Sequence, residues 1–327
     1  MSKMTRIEIK GYGGPEVMKL VERDIPEVGP AQILVRHEAV GVNFIDTYHR
    51  TGLYPVPQLP SGLGGEAAGL IEAIGADVEG MAVGDRVAYC SGPIGSYASH
   101  NVIAADSAVL LPTSISTKDA AASLLKGLTV QYLIRQIYPV KEGDTVLFHA
   151  AAGGVGTIAV QWLKSLGATV IGTAGSEEKV KLAKSLGCQH VINYKTDSVP
   201  ERVLEITDGK KLPVVFDGVG KDTFIDSLDC LAPRGLMISF GNASGPVDGV
   251  KLGILAAKGS LMVTRPTLVH FIATRQALDA ASYDFFAALS SGAVKIAPPA
   301  EYALADAATA HEDLSGRKTT GSLVLVP

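Results

Sequence analysis

The run Ala150-Ala151-Ala152-Gly153-Gly154-Val155-Gly156 constrains this chain more than any other segment. An apolar stretch, 145–149, leads into it, and a helical pattern over 157–166 leads out. Strand, glycine-rich turn and helix in that order make a pyrophosphate-binding device. The turn lets backbone approach the ligand, and the helix N-terminus offers free N–H groups and partial positive charge. Against the dinucleotide pattern G-x-G-x-x-G, Ala151 stands at the first glycine, and Gly153 and Gly156 stand at the other two. A second apolar strand, 169–172, follows about 20 residues on, as the pattern requires. The expectation is a dinucleotide, and with it redox chemistry.

A chain of 327 residues has room for two domains of ordinary size. With 47% hydrophobic and 19% charged residues it should pack as a globule rather than stay disordered. A formal charge of −4 gives no electrostatic footprint for nucleic acid. No apolar run reaches the ~18 residues that span a bilayer. Residues 1–8 lack the apolar core of a signal peptide. Cys90, Cys188 and Cys230 are far apart and odd in number, which fits a reducing cytoplasm.

The texture changes along the chain. The first 125 or so residues read as short strands (32–42, 68–74, 86–89, 102–104, 108–111) broken by Gly and Pro. From about Lys118, strands alternate with helices, the mark of a parallel sheet. The expected strands are 145–149, 169–172, 190–192, 214–216, 236–240 and 260–263. The expected helices are 155–166, 177–186, 199–207, 224–231 and 252–257. Beyond Pro266 come a helical stretch, 274–290, and two strand-like runs, 301–304 and 322–326, expected to return to the first domain.

With these segments in hand, the chain resembles the medium-chain dehydrogenase/reductase superfamily. It looks most like the zinc-free quinone oxidoreductase (zeta-crystallin) branch, and within it the bacterial NADPH:quinone reductases. The likeness runs through 143–147, 151–156 and 161–164. It extends to Gly41-Val42-Asn43-Phe44-Ile45-Asp46, Leu63-Gly64-Gly65-Glu66, Val83-Gly84-Asp85-Arg86-Val87 and Asp217-Gly218-Val219-Gly220. The resemblance implies an α/β fold: a doubly wound parallel-sheet (Rossmann) cofactor domain over 126–266 and a β-rich GroES-like catalytic domain over 1–125, completed by 267–327.

Alcohol dehydrogenases of this superfamily hold a catalytic zinc with a Cys, a His and a second thiolate. Here Asn43 stands where the first Cys is expected, and Gly65 precedes Glu66 where those enzymes have a His. No four-Cys cluster exists in the sequence. No metal is therefore expected, and no Lewis acid to activate an alcohol. Acceptors that take hydride without a metal, quinones and activated double bonds, become the expected substrates.

NAD-specific folds place an acid at the end of the second strand. Here the chain runs Ile171-Gly172-Thr173-Ala174-Gly175-Ser176, without one. NADPH is therefore the expected cofactor. Ser176 offers a hydrogen bond to a 2′-phosphate and Lys179 a charge, although Glu177 and Glu178 lie close by. The resemblance adds Tyr194 and Arg317 as phosphate contacts. It places the pyrophosphate on Ala152, Gly153, Gly154, Val155 and Gly156. It also puts Asn43, Tyr48, Tyr54 and Thr129 on the nicotinamide side. Phe240 and Asn242 follow the fifth strand, where ligands bind in this fold. Asn43, Tyr48 and Tyr54 are the candidate catalytic residues, as donors to charge growing on an acceptor oxygen. Asp217 and Glu66 read as supporting residues.

The expected activity is transfer of reducing equivalents from NADPH to a small quinone in a cleft between the domains. Two alternatives stay open: a reductase of enone or enal double bonds, and a crystallin-like NADPH-binding protein. An apolar edge strand at 260–263 suggests a homodimer through the cofactor domains.

Overall fold

The computed structural model describes residues 3–316 and 318–327. They fall into two compact units. One comprises Met1–Leu125, Ile272–Phe286 and Ile296–Pro327, and the other Lys126–Phe271 and Ala287–Lys295.

The second unit carries a six-stranded sheet among the described residues. Its order is His190–Asn193, Thr169–Ala174, Thr145–Phe148, Leu212–Asp217, Leu231–Ser239, Met262–Thr264, all parallel. In chain order that is 3-2-1-4-5-6, the doubly wound arrangement, with the reversal between the first and fourth strands. Parallel strands are covered on both faces, so they read as unbroken apolar runs such as Val146-Leu147-Phe148 and Val214-Val215-Phe216. Leu147, Ile171, Ile192 and Val215 from the strands pack with Val203, Phe224 and Leu228 from the helices in one buried cluster.

The first unit is β-rich. Gln32–Val42 is its longest strand. It pairs antiparallel with Ala67–Ile74, His100–Ala104 and Leu323–Val326 in a seven-stranded sheet. Lys3–Ile9 pairs with Lys19–Asp24 and Ser61–Gly62 in a smaller, three-stranded sheet. Ile9, Val35, Leu63, Val87, Tyr97 and Leu325 share its core.

Two departures from the sequence reading bear on the cofactor unit. Residues 267–271 and 287–295 group with the cofactor unit, not with the first domain. The reason is local: Phe271 stacks on Tyr132 with centroids 4.4 Å apart, and the Gln161 side chain bonds both the N–H and the C=O of Lys295. The second strand also runs to Ala174, two residues further than expected, which brings its end up to Ser176.

Candidate functional site

In the cofactor unit the chain leaves Thr145–Phe148 and turns at Ala150. Ala150 is left-handed, with φ 53°, a conformation that costs a non-glycine residue about 1 kcal/mol or more. The Gly153 N–H donates to the Ala150 carbonyl at 2.9 Å, closing the turn. Gly153 is the N-cap of helix Gly154–Ser165, and no side chain caps it. A Cβ on Gly156 would lie 2.3 Å from the Ala150 carbonyl oxygen, so only glycine lets helix and turn approach this closely. The first helical turn holds no acid. Unfilled N–H groups, a positive helix end and no opposing carboxylate are what a pyrophosphate needs, and the residues present fit one.

The second helix, Glu177–Leu186, is built differently. Ser176 caps it, accepting from the Lys179 N–H at 3.3 Å, and Glu177 and Glu178 occupy its first turn. Its dipole is thus already balanced. Glu177 is held by the Asn193 amide at 3.0 Å. The Ser176 O–H remains available as a donor. The Tyr194 N–H bonds the Ala174 carbonyl at 3.1 Å, which sets the tyrosine beside Gly175. A Cβ built on Gly175 would come within 2.3 Å of the Tyr194 hydroxyl. Lys195 lies over the Tyr194 ring, 5.9 Å from its centroid. Ser176 and Lys179 after the second strand, and Tyr194 after the third, are therefore gathered at the adjoining ends of two neighbouring strands. Arg317 lies outside the described residues.

At the far side of the sheet reversal, the loops after the fourth and fifth strands zip together. Phe240 N–H bonds the Asp217 carbonyl at 2.8 Å, and Ser244 N–H bonds that of Val219 at 2.8 Å. Phe240 packs on Phe148 at 5.7 Å between centroids. Asn242 sits against Gly220. Thr129 is buried on helix Thr117–Gln131.

In the β-rich unit, Asn43 begins helix Phe44–Thr51 and is buried. Its amide donates to Glu66 Oε2 at 2.7 Å, and Glu66 Oε1 accepts the Leu125 N–H at 2.7 Å. Its own N–H donates to Asp46 Oδ2 at 2.8 Å. Behind Asp46 stands a buried chain that sequence reasoning missed. Arg50 can only donate, so His311 Nδ1 accepts from it at 3.2 Å, and His311 Nε2–H donates to the Tyr97 hydroxyl at 2.9 Å. Tyr97 then donates to Asp46 Oδ2 at 3.0 Å. Burial, with Arg50 beside it, pulls His311 down to about 3. Tyr48 and Tyr54 meet edge to face, centroids 5.3 Å apart, with the Tyr54 N–H on the Tyr48 carbonyl at 3.1 Å. The turn at Gly52 (φ 82°) brings them together.

A parallel sheet with a glycine turn at its first crossover and a strand reversal beside it defines a dinucleotide-binding protein. Residues 29–113 match the family described as alcohol dehydrogenase GroES-like domain, and 154–288 the one described as zinc-binding dehydrogenase. The quinone oxidoreductase of Pseudomonas aeruginosa is 54% identical over 98% of this chain and 99% of its own. The 2-haloacrylate reductase of a Burkholderia species is 44% identical over 96% of both chains. The crystal structure of Escherichia coli quinone oxidoreductase complexed with NADPH superposes with a TM-score of 0.98 at 52% identity, covering 99% of this chain and 100% of that one. The chain belongs to the quinone oxidoreductase branch of the medium-chain dehydrogenase/reductase superfamily. Among the described residues the zinc of the matched description finds no ligand set. Asn43 offers an amide tied to Glu66, Gly65 offers no side chain, and no group of three or more His, Cys, Asp or Glu able to hold a metal occurs among the described residues.

Proposed function

We propose that this chain is an NADPH-dependent quinone oxidoreductase that passes reducing equivalents to a small quinone. The observation that carries the reading is the acid-free strand end, Ala174-Gly175-Ser176, next to an intact pyrophosphate turn, in a chain like quinone reductases over nearly its whole length. Bound NADPH supplies the hydride.

The protein's residues do the rest. The N–H groups of Gly154, Val155 and Gly156, at the start of the helix, hold the pyrophosphate. Ser176, Lys179 and Tyr194 receive the 2′-phosphate, and Phe240 and Asn242 border the nicotinamide. Asn43, Tyr48 and Tyr54 are the donors for an acceptor oxygen as negative charge grows on it. With no metal to polarise that oxygen, position and hydrogen bonding must lower the barrier. The working unit is a homodimer joined at the edge strand Met262–Thr264, and the compartment is the cytoplasm. No helix among the described residues is long and apolar enough to cross a membrane.

NADPH oxidation measured against a panel of quinones, enones and 2-haloacrylates tests the reading. Quinones are expected to be reduced fastest. Reduction of activated alkenes far faster than any quinone overturns it. The Burkholderia relative supports that second reading, in which Tyr54 or water delivers a proton to the α-carbon.

A further inference from the structure

His149 closes the first strand of the cofactor unit, one residue before the pyrophosphate turn, and is 2% exposed. Both ring nitrogens are engaged by side chains of other elements. Nδ1 lies 3.1 Å from the Thr173 hydroxyl, and Nε2 lies 3.0 Å from the Ser227 hydroxyl. The directions of these bonds follow from the ends of the chain. Ser227 donates its single proton to Asp217 Oδ2 at 2.7 Å, so its oxygen accepts from His149 Nε2–H. Nδ1 is then bare and accepts the Thr173 O–H. The Thr173 oxygen in turn accepts the Ala150 N–H at 3.1 Å.

Asp217 anchors the far end. Its Oδ1 accepts the N–H groups of Val219 and Gly220 at 2.8 and 3.0 Å, and its Oδ2 accepts Thr223 as well as Ser227. Thr173, Ser227 and Asp217 are all buried. Burial lowers the His149 pKa against the opposing pull of Asp217 and Asp226, in keeping with a ring that carries one proton.

We propose that Asp217, Ser227, His149 and Thr173 form a one-directional hydrogen-bond relay that positions the pyrophosphate turn, by holding the N–H of left-handed Ala150, and so sets the affinity for the dinucleotide. Three observations carry this. Ala150 is the strained residue of the turn, and such a conformation persists only where its surroundings over-determine it. The Thr173 carbonyl also takes the Ala151 N–H at 3.0 Å, so one residue of the second strand pins two consecutive N–H groups of the turn. The other end of the relay fixes loop 217–220, which packs on Asn242. One chain of bonds therefore ties the loops after the first and fourth strands to the second strand. The four residues are positioning residues, since none is assigned a contact with the ligand.

The inference rests on NADPH binding at the turn, and direct titration of the purified protein with NADPH and with NADH tests both. Thr173→Val keeps the β-branched shape but removes the hydroxyl. It is expected to raise both dissociation constants by a similar factor, roughly ten-fold, because a turn no longer held at the Ala150 N–H spends less time in the binding-competent shape. Thr173→Ser, which restores the hydroxyl, is expected to recover most of the affinity. Ser227→Ala cuts the relay at its far end and is expected to weaken both nucleotides in the same direction. Wild-type affinity in both Thr173→Val and Ser227→Ala overturns the relay. So does a Thr173→Ser variant as weak as Thr173→Val, or a loss confined to NADPH, which would place the effect at the 2′-phosphate. A wild-type protein that binds neither nucleotide overturns the functional reading and the relay with it.

Discussion

The Asn43 amide donates to the Glu66 carboxylate at 2.7 Å, inside the β-rich unit and out of contact with bulk water. An amide nitrogen carries two N–H groups, and Glu66 takes one. The contact fixes the plane of the amide and so the direction of the other. Asn43→Ala is expected to lower turnover on the order of 10²-fold, the cost of losing a donor that acts in the transition state. Glu66→Gln leaves one acceptor oxygen for the Leu125 N–H and sets an NH2 before Asn43, whose amide must turn over to accept from it. Turnover should then fall as in Asn43→Ala, with little change in thermal melting. Full turnover in Asn43→Ala would remove this residue from the catalytic set.

Tyr54 has two separable parts, a ring packed edge-on to Tyr48 and a hydroxyl. Tyr54→Phe keeps the ring and should lower kcat modestly with little change in the quinone KM. Tyr54→Ala removes both and should raise KM as well. Steady-state kinetics of the pair separates the roles, and unchanged kinetics in both makes Tyr54 a bystander.

Cofactor choice should turn on the end of the second strand. Lys179→Ala is expected to weaken NADPH more than NADH. Gly175→Ala is an independent check. Its Cβ would strike the Tyr194 hydroxyl, and displacing that group should cost NADPH affinity while leaving NADH nearly untouched. Equal losses for the two nucleotides would separate these residues from the 2′-phosphate.

Acid should destabilise the fold early. His37 is buried, with Nδ1 on the Ala98 carbonyl and Nε2 on the Tyr89 hydroxyl, and burial holds it down at about 4. His311 is held down at about 3, and His149 is shifted the same way. These folded values lie below that of an unfolded histidine. The stability they contribute is therefore complete above pH ~6.5 and drains away as pH falls towards ~4 and ~3. Most carboxylates titrate lower, so Tm should already decline between about pH 6.5 and 5. A flat Tm over that window would contradict the assignment.

The strand Met262–Thr264 ends the parallel sheet, with Met262 and Val263 exposed. A two-fold partner offering the same strand would continue the sheet. Solution scattering at micromolar concentration should give a dimer, and Met262→Lys should shift it towards monomer. A monomeric wild type would refute the arrangement.

The sequence announces its cofactor unit because each of that unit's signals is local. The glycine turn, the buried parallel strands and the acid-free strand end each occupy a few consecutive residues. What stays hidden is long-range or polar. Lys19–Asp24 carries little apolar pattern because most of it is exposed, and its partner Lys3–Ile9 supplies the burial. Leu231–Ser239 contains Pro233, and the register shift between Leu212 and Val214 absorbs the irregularity. His149 and His311 look solitary along the chain because their partners lie 78 and 214 residues away. The one clue to His149 was its place immediately before the turn. Asn43, Tyr48 and Tyr54 were legible only through the resemblance, since no spacing rule marks a hydride-acceptor site.

The contact between Gly175 and the Tyr194 hydroxyl also couples two positions that follow different strands. Any side chain at 175 meets the far end of the Tyr194 ring, an exposed group that must turn away to make room. What residue 175 can be therefore depends on what stands at 194 and where it points. A change at the one is read through the other, so the two substitutions should not add.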